Sequence, residues 1–422
     1  MAEIAILIYR LLGTILVWPL ALFLRNHPNF KGTIARRLGF VLPEVVAGRK
    51  TIWVHAASVG EVKAVSGLIR AIRRRWPGVF IFLTSTTATG RDVAGRMTEV
   101  DLVFPTPFDL SRVMRGYLLR LMPDVILIVE TEIWPSMLLA ARDLAREVVF
   151  VNARMSEGSF KRYRKVSRLM KAILGPVRVL AMAVPDAQRF SALGATQVEV
   201  LGNLKFDTVP EPGSADISSL KESIGVGSRP VFLAGSVREG EEVYVMDAIR
   251  AASSQIPELL SLVAPRHPDR VELIGRLAQE RGLTWSLKSK GPSSAQVLII
   301  DTMGELFKLY AVCDAAFVGG SLVDLGGQNI LEPIAWGVPT IHGPYMDNFA
   351  WAIEGMKGLT IVVRNPSELA ATVTDLIKDG GGLEIGWRAR EALHAAGGVT
   401  ERYLSALELY LNDIIRAPSS AA

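Results

Sequence analysis

A carboxylate at the tip of a strand-to-helix turn is the first residue here whose position points to chemistry. The run TIWVHAAS predicts a buried strand, and EVKAVSGLIRAIRRRW predicts an amphipathic helix. Gly60 makes the turn between them, and Glu61 stands where the helix begins. Ligands of parallel α/β sheets bind beyond the carboxyl ends of the strands, so Glu61 is a candidate for contact with a ligand. The alternative is an ordinary acidic residue that stabilises a helix N-terminus.

Three more charged residues lie near predicted strand ends in the first half of the chain. The stretch VETEIWP places Glu130 and Glu132 at the end of a buried strand, and strand alternation predicts that both face the same side. Two carboxylates at a strand tip indicate a site that holds something. Lys205, in LGNLKFD, lies at the expected junction between two domains, where a solvated surface lysine is the alternative.

Polar or glycine-rich turns follow several strands of the second half. These turns are AGSVREGEE (234–242), APRHPDR (264–270), DTMGEL (301–306) and GGSLVDLGGQNILEP (319–333). Each can direct backbone N–H groups at an anion, so together they predict a nucleotide site. Arg266 is placed to bind a phosphate through its guanidinium fork. Glu332 is placed to accept ribose hydroxyls, or alternatively to interact with the dipole of its helix.

The elements that must position these residues alternate from Thr51 onward. Apolar, β-branched strands separated by helical segments predict parallel sheets that are covered on both faces. A Pro-, Gly- and Ser-rich stretch at 207–219 predicts a linker, after which the alternation restarts. We therefore expect two doubly wound α/β domains that face each other across a cleft, with ligands at the carboxyl ends of the strands.

Composition narrows the class of partner. Residues 1–205 contain 29 Lys and Arg against 15 Asp and Glu, whereas residues 206–422 contain 18 against 27. A basic half suits an anionic membrane surface or a phosphorylated lipid. Its basic residues are not interleaved with aromatic residues, so we expect no nucleic acid as a partner.

The single cysteine permits no internal disulfide. The sequence has no metal-spaced His or Cys clusters, so we expect no metal and no other cofactor.

The N-terminus carries an apolar run at 4–24 with one charge, Arg10. Its 21 residues reach about 30 Å as a helix, the thickness of bilayer hydrocarbon. Four basic residues follow (Arg25, Lys31, Arg36 and Arg37), which by the positive-inside bias places the rest of the chain in the cytoplasm. We expect a membrane anchor, with an interfacial helix or a signal peptide as alternatives. The basic segment 154–178 is either a solvated face or a surface for phosphate groups.

Taken in order, these motifs resemble those of the Kdo (3-deoxy-D-manno-oct-2-ulosonic acid) transferases of lipopolysaccharide synthesis. The resemblance covers nearly the whole chain and rests on SVGE, TSTTATG, ETEIWP, VNARMS, GNLKFD, REGEE, PRHPDR, DTMGELFKLY, FVGGSLV, GGQNILEP and GPYMDNF. It implies a GT-B glycosyltransferase fold with two Rossmann-like domains, an acceptor domain at 31–206 and a CMP-Kdo donor domain at 207–422, after a membrane-associated segment at 1–30.

The resemblance also implies an activity. Kdo would pass from CMP-Kdo, with inversion, to the glucosamine disaccharide of the lipid A precursor (lipid IVA) at the cytoplasmic side of the inner membrane, and CMP would be released. Glu61 is then the general base, and Glu130 and Lys205 stabilise the transition state. The implied CMP contacts are Pro265, Arg266, Met303, Gly304, Glu305, Asn329, Ile330, Leu331 and Glu332. Because Glu61 begins a helix, we expect its charged form to be favoured.

The sequence departs from the family pattern at two places, both in loops on the donor side. Val237 and Arg238 stand where many members have Thr-His, and Gln328 and Ile330 stand where many have His and Pro.

Two other functions stay open at this stage. One is a GT-B enzyme for a UDP-sugar, such as a lipid-linked N-acetylglucosaminyl transferase or a sugar-nucleotide epimerase. The other is a membrane-attached nucleotide-binding protein without catalysis.

Overall fold

The computed structural model describes residues 2–44, 48–213, 216–378, 380 and 382–416. The chain divides into two compact units, Met1–Thr208 with Gly398–Ala422, and Val209–Gly397. Parts of four expected segments lie outside the described residues: residue 1 of the anchor, residues 45–47 of the acceptor domain, residues 214 and 215 of the linker, and residues 379, 381 and 417–422 of the second domain.

The first unit is built on a seven-stranded parallel sheet. Its strands are β1 (Thr51–His55), β2 (Phe80–Ser85), β3 (Leu102–Pro105), β4 (Val125–Val129), β5 (Glu147–Ala153), β6 (Arg178–Ala181) and β7 (Gln197–Val200). They lie in the order β3-β2-β1-β4-β5-β6-β7. The chain builds outward from β1 in one direction and then returns to β4 on its other side. The carboxyl ends of β1 and β4 therefore form the point of reversal at which open α/β sheets bind ligands.

Helices cover both faces of this sheet. They are α1 (Ala2–Leu24), α2 (Ile34–Arg37), α3 (Val59–Arg75), α4 (Ala88–Ala94), α5 (Ser111–Leu121), α6 (Pro135–Asp143), α7 (Glu157–Arg164), α8 (Ser167–Leu174) and α9 (Val184–Ala192). All five residues of β1 are buried, and they alternate between the two sides of the sheet. Trp53 joins the core on one face, whereas Ile52 and Val54 join the core on the other.

The second unit repeats this plan. Its strands are β8 (Val231–Val237), β9 (Leu260–Pro265), β10 (Trp285–Leu287), β11 (Val297–Ile299), β12 (Ala315–Val318), β13 (Thr340–His342) and β14 (Ile361–Val362). They are parallel, in the order β10-β11-β9-β8-β12-β13-β14, so the order reverses between β8 and β12. The helices are α10 (Ile217–Ser223), α11 (Glu242–Gln255), α12 (Val271–Glu280), α13 (Leu306–Leu309), α14 (Leu331–Ala335), α15 (Ala350–Gly355), α16 (Pro366–Lys378) and α17 (Gly382–Ala396). The predicted fold class, two doubly wound parallel sheets, is confirmed.

The last helix of the chain, α18 (Val399–Arg416), belongs to the first unit. Tyr403, Leu407 and Leu411 are fully buried in the core that α3 shares. The Tyr403 hydroxyl donates to the carbonyl oxygens of Leu180 (3.2 Å) and Gly202 (3.1 Å). The expected second domain, 207–422, included this helix. In the structure its apolar face instead completes the core of the first unit.

Helix α1 packs lengthwise on the first unit. Val17 and Ala21 are each only 5% exposed, and Ile6 packs against the core. The Tyr9 hydroxyl donates to Asp109 Oδ2 at 2.7 Å, and Asp109 also accepts from the first backbone N–H groups of α6. The other side of α1 exposes apolar side chains (Leu12, Ile15, Leu16, Leu22 and Phe23, each more than half exposed). Among the described residues, α1 is the one helix long and apolar enough to cross a membrane, with a mean hydropathy of 2.0 over residues 6–24.

Candidate active site

Glu61 lies in the first turn of α3, at the point of reversal of the first sheet. Ser58 precedes the helix, and its Oγ accepts from the Glu61 backbone N–H at 3.3 Å. In return, the Ser58 hydroxyl donates to Glu61 Oε1 at 3.0 Å, and the Ala57 N–H donates to Oε2 at 2.7 Å. This reciprocal arrangement resembles a helix capping box. It fixes the position of both carboxylate oxygens.

The pKa of Glu61 is raised to about 7. Burial is the largest cause, and the charges of Glu130 and Glu132 add to it, whereas the hydrogen bonds from Ala57 and Ser58 lower the pKa. The helix N-terminus and the two hydrogen bonds favour the ionised form, as expected, but desolvation and like charge outweigh them and raise the pKa. A carboxylate with a pKa near neutrality is suited to take up a proton during a reaction.

Glu130 and Lys205 form an ion pair at the same edge of the first sheet. Lys205 Nζ lies 2.8 Å from Glu130 Oε1, and both side chains are about four-fifths buried. Strand β4 ends at Val129, so the predicted alternation does not extend to Glu130. Glu130 instead adopts a left-handed conformation with φ 58°, a strain that folded proteins concentrate at functional sites. The charges of Glu130 and Glu132 both raise the pKa of Glu61.

A buried histidine lies close to Glu132. His55, at the end of β1, is fully buried, and its Nδ1 lies 3.0 Å from Thr84 Oγ1. That hydroxyl oxygen already accepts from the Trp53 indole at 2.9 Å, so its own proton can go to His55 Nδ1. The ring proton then sits on Nε2, which lies 3.9 Å from Glu132 Oε2 and has no hydrogen-bond partner among the described residues.

Asn152 was not predicted as part of this site. It is fully buried with φ 52°, and its Oδ1 accepts from the Leu204 N–H at 2.9 Å, next to Lys205. Its Nδ2 is buried without a hydrogen-bond partner among the residues that the structure covers. The available signal was an amide residue inside the apolar strand EVVFVNA.

The predicted polar loop TSTTATG supports the Glu61 turn. Thr87 caps α4 by accepting from the Gly90 N–H at 3.1 Å, and Ser85 donates to the Ala57 carbonyl at 3.1 Å. A Cβ on Gly90 would lie 2.3 Å from Ser85 Oγ and 3.4 Å from the Ser58 backbone, so only glycine fits. The hydrogen bonds of this loop therefore cap α4 and hold the turn that carries Glu61.

The second unit has a pocket beyond the carboxyl ends of β8, β9 and β11. Its volume is about 170 Å³. Four of the predicted nucleotide contacts line it together: Pro265, Arg266, Met303 and Gly304. Glu305 follows them in sequence, but its carboxylate is bound to Lys288 Nζ at 3.0 Å and to the Thr302 hydroxyl.

The remaining predicted contacts, 329–332, follow β12. Ile330 and Leu331 are buried in the core, so only their backbone groups are available to a ligand. Asn329 Nδ2 donates to Glu332 Oε1 at 3.1 Å, and burial raises the pKa of Glu332. Among the described residues, no group of three or more His, Cys, Asp or Glu side chains could hold a metal ion.

Two turns that were predicted to bind an anionic ligand instead bind a carboxylate of the protein itself, that of Glu241. The fully buried carboxylate of Glu241 accepts from the backbone N–H groups of Ser321 and Leu322, each at 2.8 Å, and of Arg238 at 3.0 Å. It accepts from the Gly320 N–H as well. These four donors tie the loops after β8 and β12 together, and they are not available for a phosphate.

Comparison with known proteins places the chain in a family. Residues 32–208 match the family described as 3-Deoxy-D-manno-octulosonic-acid transferase (kdotransferase). The chain is 35% identical to the 3-deoxy-D-manno-octulosonic acid transferase of Bordetella pertussis, over 85% of this chain and 87% of that protein. It is 30% identical to the Haemophilus influenzae transferase of the same name, over 92% and 93%. The chain belongs to the Kdo transferase family. This confirms the predicted resemblance and makes the protein a glycosyltransferase.

The fold of this Kdo transferase family member is shared with other glycosyltransferases. A glycosyltransferase from Rickettsia africae superposes with a TM-score of 0.56, covering 88% of this chain and 100% of that one at 13% identity. At that identity the likeness concerns the fold alone. It supports the predicted GT-B class, with Glu61 at the point of reversal in one Rossmann-like unit and the predicted nucleotide contacts in the other.

Proposed function

We propose that this Kdo transferase moves Kdo from CMP-Kdo to the glucosamine disaccharide of lipid IVA, with inversion and release of CMP. The observation that carries the proposal is Glu61, which is held by two hydrogen-bond donors at the point of reversal of the first sheet and has a pKa near 7. Family membership supplies the sugar that is transferred. The geometry supplies a group that can accept the proton of an attacking hydroxyl.

In this mechanism Glu61 takes the proton from the acceptor hydroxyl as that oxygen forms a bond to the anomeric carbon of Kdo. The bond from that carbon to the CMP phosphate breaks, and its electron pair leaves with CMP. The sugar passes through an oxocarbenium-like state with positive charge. Glu130 offers negative charge to it, and Lys205, which holds Glu130 at 2.8 Å, sets the position of that carboxylate. A single base and no covalent intermediate suffice for inversion.

The donor side of the proposal rests on the pocket of the second unit. Arg266 lines it and can bind the CMP phosphate through two parallel hydrogen bonds. Gly304 adopts φ 82°, a conformation that leaves its backbone open to close approach by the nucleotide. Glu332 is the proposed acceptor for ribose hydroxyls, and its hydrogen bond from Asn329 fixes one of its oxygens.

We also propose that the protein attaches to the cytoplasmic face of the inner membrane through α1 lying in the interface. Contacts from Ile6 to Ala21 dock one side of α1 on the first unit, which supports an interfacial helix over a free-standing span. Helix α8, which packs on α1, carries the exposed Lys171, and α7, which packs on α8, carries the exposed Lys161 and Arg162. Apolar and basic surface thus lie side by side, as attachment to an anionic membrane requires.

The test of the base is Glu61→Gln. Incubation with CMP-Kdo and lipid IVA, followed by mass spectrometry of the lipid, should show transfer reduced by at least about 10²–10⁴-fold, the usual contribution of a positioned base. Affinity for CMP should be retained, because Glu61 belongs to the other unit. Glu44→Gln, at an exposed position of the same unit, is the matched control and should behave as wild type. Near-normal transfer by Glu61→Gln would remove Glu61 from the mechanism.

Nucleotide identity is tested separately by thermal unfolding with CMP, UDP or UDP-N-acetylglucosamine. Binding to the folded state raises the unfolding temperature, so CMP should give a clear rise and the uridine nucleotides a small one. A rise with UDP alone would favour a UDP-sugar enzyme instead.

A further inference from the structure

Arg238 stands at the point of reversal of the second sheet. It is the first residue after β8, and Gly320 is the second residue after β12, the neighbouring strand. A Cβ on Gly320 would lie 3.2 Å from Arg238 Cγ and 3.5 Å from Gln328 Cγ. The glycine therefore lets the two side chains pass over the backbone side by side, at the place where doubly wound sheets receive their ligands.

The Arg238 guanidinium has no partner within the chain as far as the structure describes it. Its Nε is buried without a hydrogen bond, and the group forms no ion pair with any described carboxylate. Arg270, in the same unit, is by contrast paired with a carboxylate, since its Nε lies 2.7 Å from Glu242 Oε1. Buried polar groups are nearly always satisfied, so a buried Nε without a partner, on a guanidinium without an ion pair, indicates an anion that binds from outside.

The backbone cannot serve that anion at this point. The N–H groups of Arg238, Gly320, Ser321 and Leu322 already donate to the Glu241 carboxylate. This leaves the side chains of Arg238 and Gln328 as the donors that a ligand meets beyond the ends of β8 and β12. The pocket that Arg266 lines lies on the other side of β8, between β8, β9 and β11, and Arg238 does not line it.

We propose that Arg238, with Gln328 beside it, binds the carboxylate of the donor's sugar acid, while Arg266 binds the phosphate. This inference rests on the function proposed above. A nucleotide-linked ulosonic acid carries two anionic groups, the phosphate and the sugar carboxylate. Two unpaired guanidinium groups, those of Arg238 and Arg266, follow the adjacent strands β8 and β9. Arginine matches the two oxygens of a carboxylate with a planar pair of donors, so Arg238 selects an acidic sugar over a neutral one.

The test is Arg238→Gln in the full-length protein, with Arg250→Gln as the matched control. Arg250 is exposed on α11, two turns along the helix from the sheet edge. Two quantities are measured for each variant: the KM for CMP-Kdo with lipid IVA as acceptor, and the Kd for CMP by titration calorimetry. Arg238→Gln should raise the KM about 10–100-fold, the effect of losing charge-assisted hydrogen bonds, and leave the Kd for CMP within about twofold. Arg250→Gln should change neither.

Two results would overturn the assignment. If the Kd for CMP rises by the same factor as the KM, Arg238 binds the phosphate and not the carboxylate. If neither quantity changes, Arg238 does not bind the donor. Arg238→Lys guards against a folding defect, since it keeps the charge but not the planar pair of donors, and it should give an intermediate KM.

The same experiment separates this inference from the function on which it rests. Failure of the wild-type protein to transfer Kdo from CMP-Kdo would overturn the proposed function, and the inference with it. Transfer by wild type at an unchanged KM in Arg238→Gln would overturn the inference alone.

Discussion

Glu61 shows how competing effects on a single carboxylate are decided by their size. A capping position and two hydrogen bonds favour its ionised form. Burial and the neighbouring carboxylates of Glu130 and Glu132 oppose that form and prevail, which brings the pKa to about 7. The result is a group that is half protonated near neutral pH and can take up or release a proton at little energetic cost.

The rate of transfer should therefore depend on pH through Glu61. Below its pKa the carboxyl is protonated and cannot accept the proton of the acceptor, so kcat should rise with pH, reach half its maximum near 7 and level off above. Glu132→Gln removes a negative neighbour, lowers the pKa of Glu61 and should move the half-maximal pH downward. The measurement is kcat between pH 5 and 9 at saturating substrates.

The Glu44→Gln variant serves as the control for this profile, because Glu44 is exposed and does not contribute to the raised pKa of Glu61. A half-maximal pH that stays in place or moves upward in Glu132→Gln would contradict the proposed influence of Glu132 on the base.

At the scale of elements, the turns after β1 and β2 form one packed support for Glu61. Residues of the second turn hydrogen-bond the Ala57 carbonyl, and Gly90 lies against both Ser85 and Ser58. The base is thus positioned by the start of α3 and by the start of α4 together. A change in the second turn should reach Glu61 through backbone contacts, without touching the carboxylate itself.

Gly90→Ala tests this support. The added methyl would meet Ser85 Oγ at 2.3 Å and Thr87 Oγ1 at 2.7 Å, so these hydroxyls must move, which disturbs the hydrogen bond from Ser85 to the Ala57 carbonyl of the first turn. We expect a loss of about 1–3 kcal/mol in the free energy of unfolding, typical of overpacking, and a fall in kcat with little change in CMP affinity. Gly78→Ala is the control, since nothing lies within 4 Å of its Cβ position. Unfolding by urea and transfer kinetics measure both effects, and equal behaviour of the two variants would show that the packing is not tight.

These strands and helices could be predicted from the sequence, but the conformations of the residues at their ends could not. Continuous apolar runs such as VILIV predict buried parallel strands because both of their faces are covered. The left-handed turn at Glu130 left no pattern in the sequence, and the amide of Asn152 showed only as one polar residue in an apolar strand, because its partner Leu204 lies 52 residues away. The binding of the Glu241 carboxylate by four backbone N–H groups was also unpredictable, since these donors come from two loops about 80 residues apart in sequence.

At the scale of the whole molecule, the chain leaves the first unit near Thr208, builds the second and returns with α18. Amphipathic periodicity predicted a helix at this end, but it does not state which core the apolar face joins. In the structure this face joins the core of the first unit, since Leu407 is fully buried with Val65 and Leu68 of α3.

Leu407→Ala should therefore destabilise the first unit and leave the second intact. Loss of a fully buried leucine side chain usually lowers the free energy of unfolding by about 2–5 kcal/mol. Leu383→Ala, at a position of α17 that is 75% exposed, is the matched control and should have little effect. Hydrogen exchange of the backbone amides, read by mass spectrometry, reports each unit separately. Loss of protection in β8 and β9 rather than in β1 and β4 would contradict this placement of α18.

The return of α18 has a consequence for biosynthesis. A ribosome that has just completed β7 has synthesised every strand of the first sheet but not the helix that covers one of its faces. At about 5–20 residues per second, translation of the intervening 209–397 takes roughly 10–40 s. During that interval the hydrophobic surface that Tyr403 and Leu407 later cover is exposed. The first unit, whose synthesis begins before that of the second, is therefore completed after it.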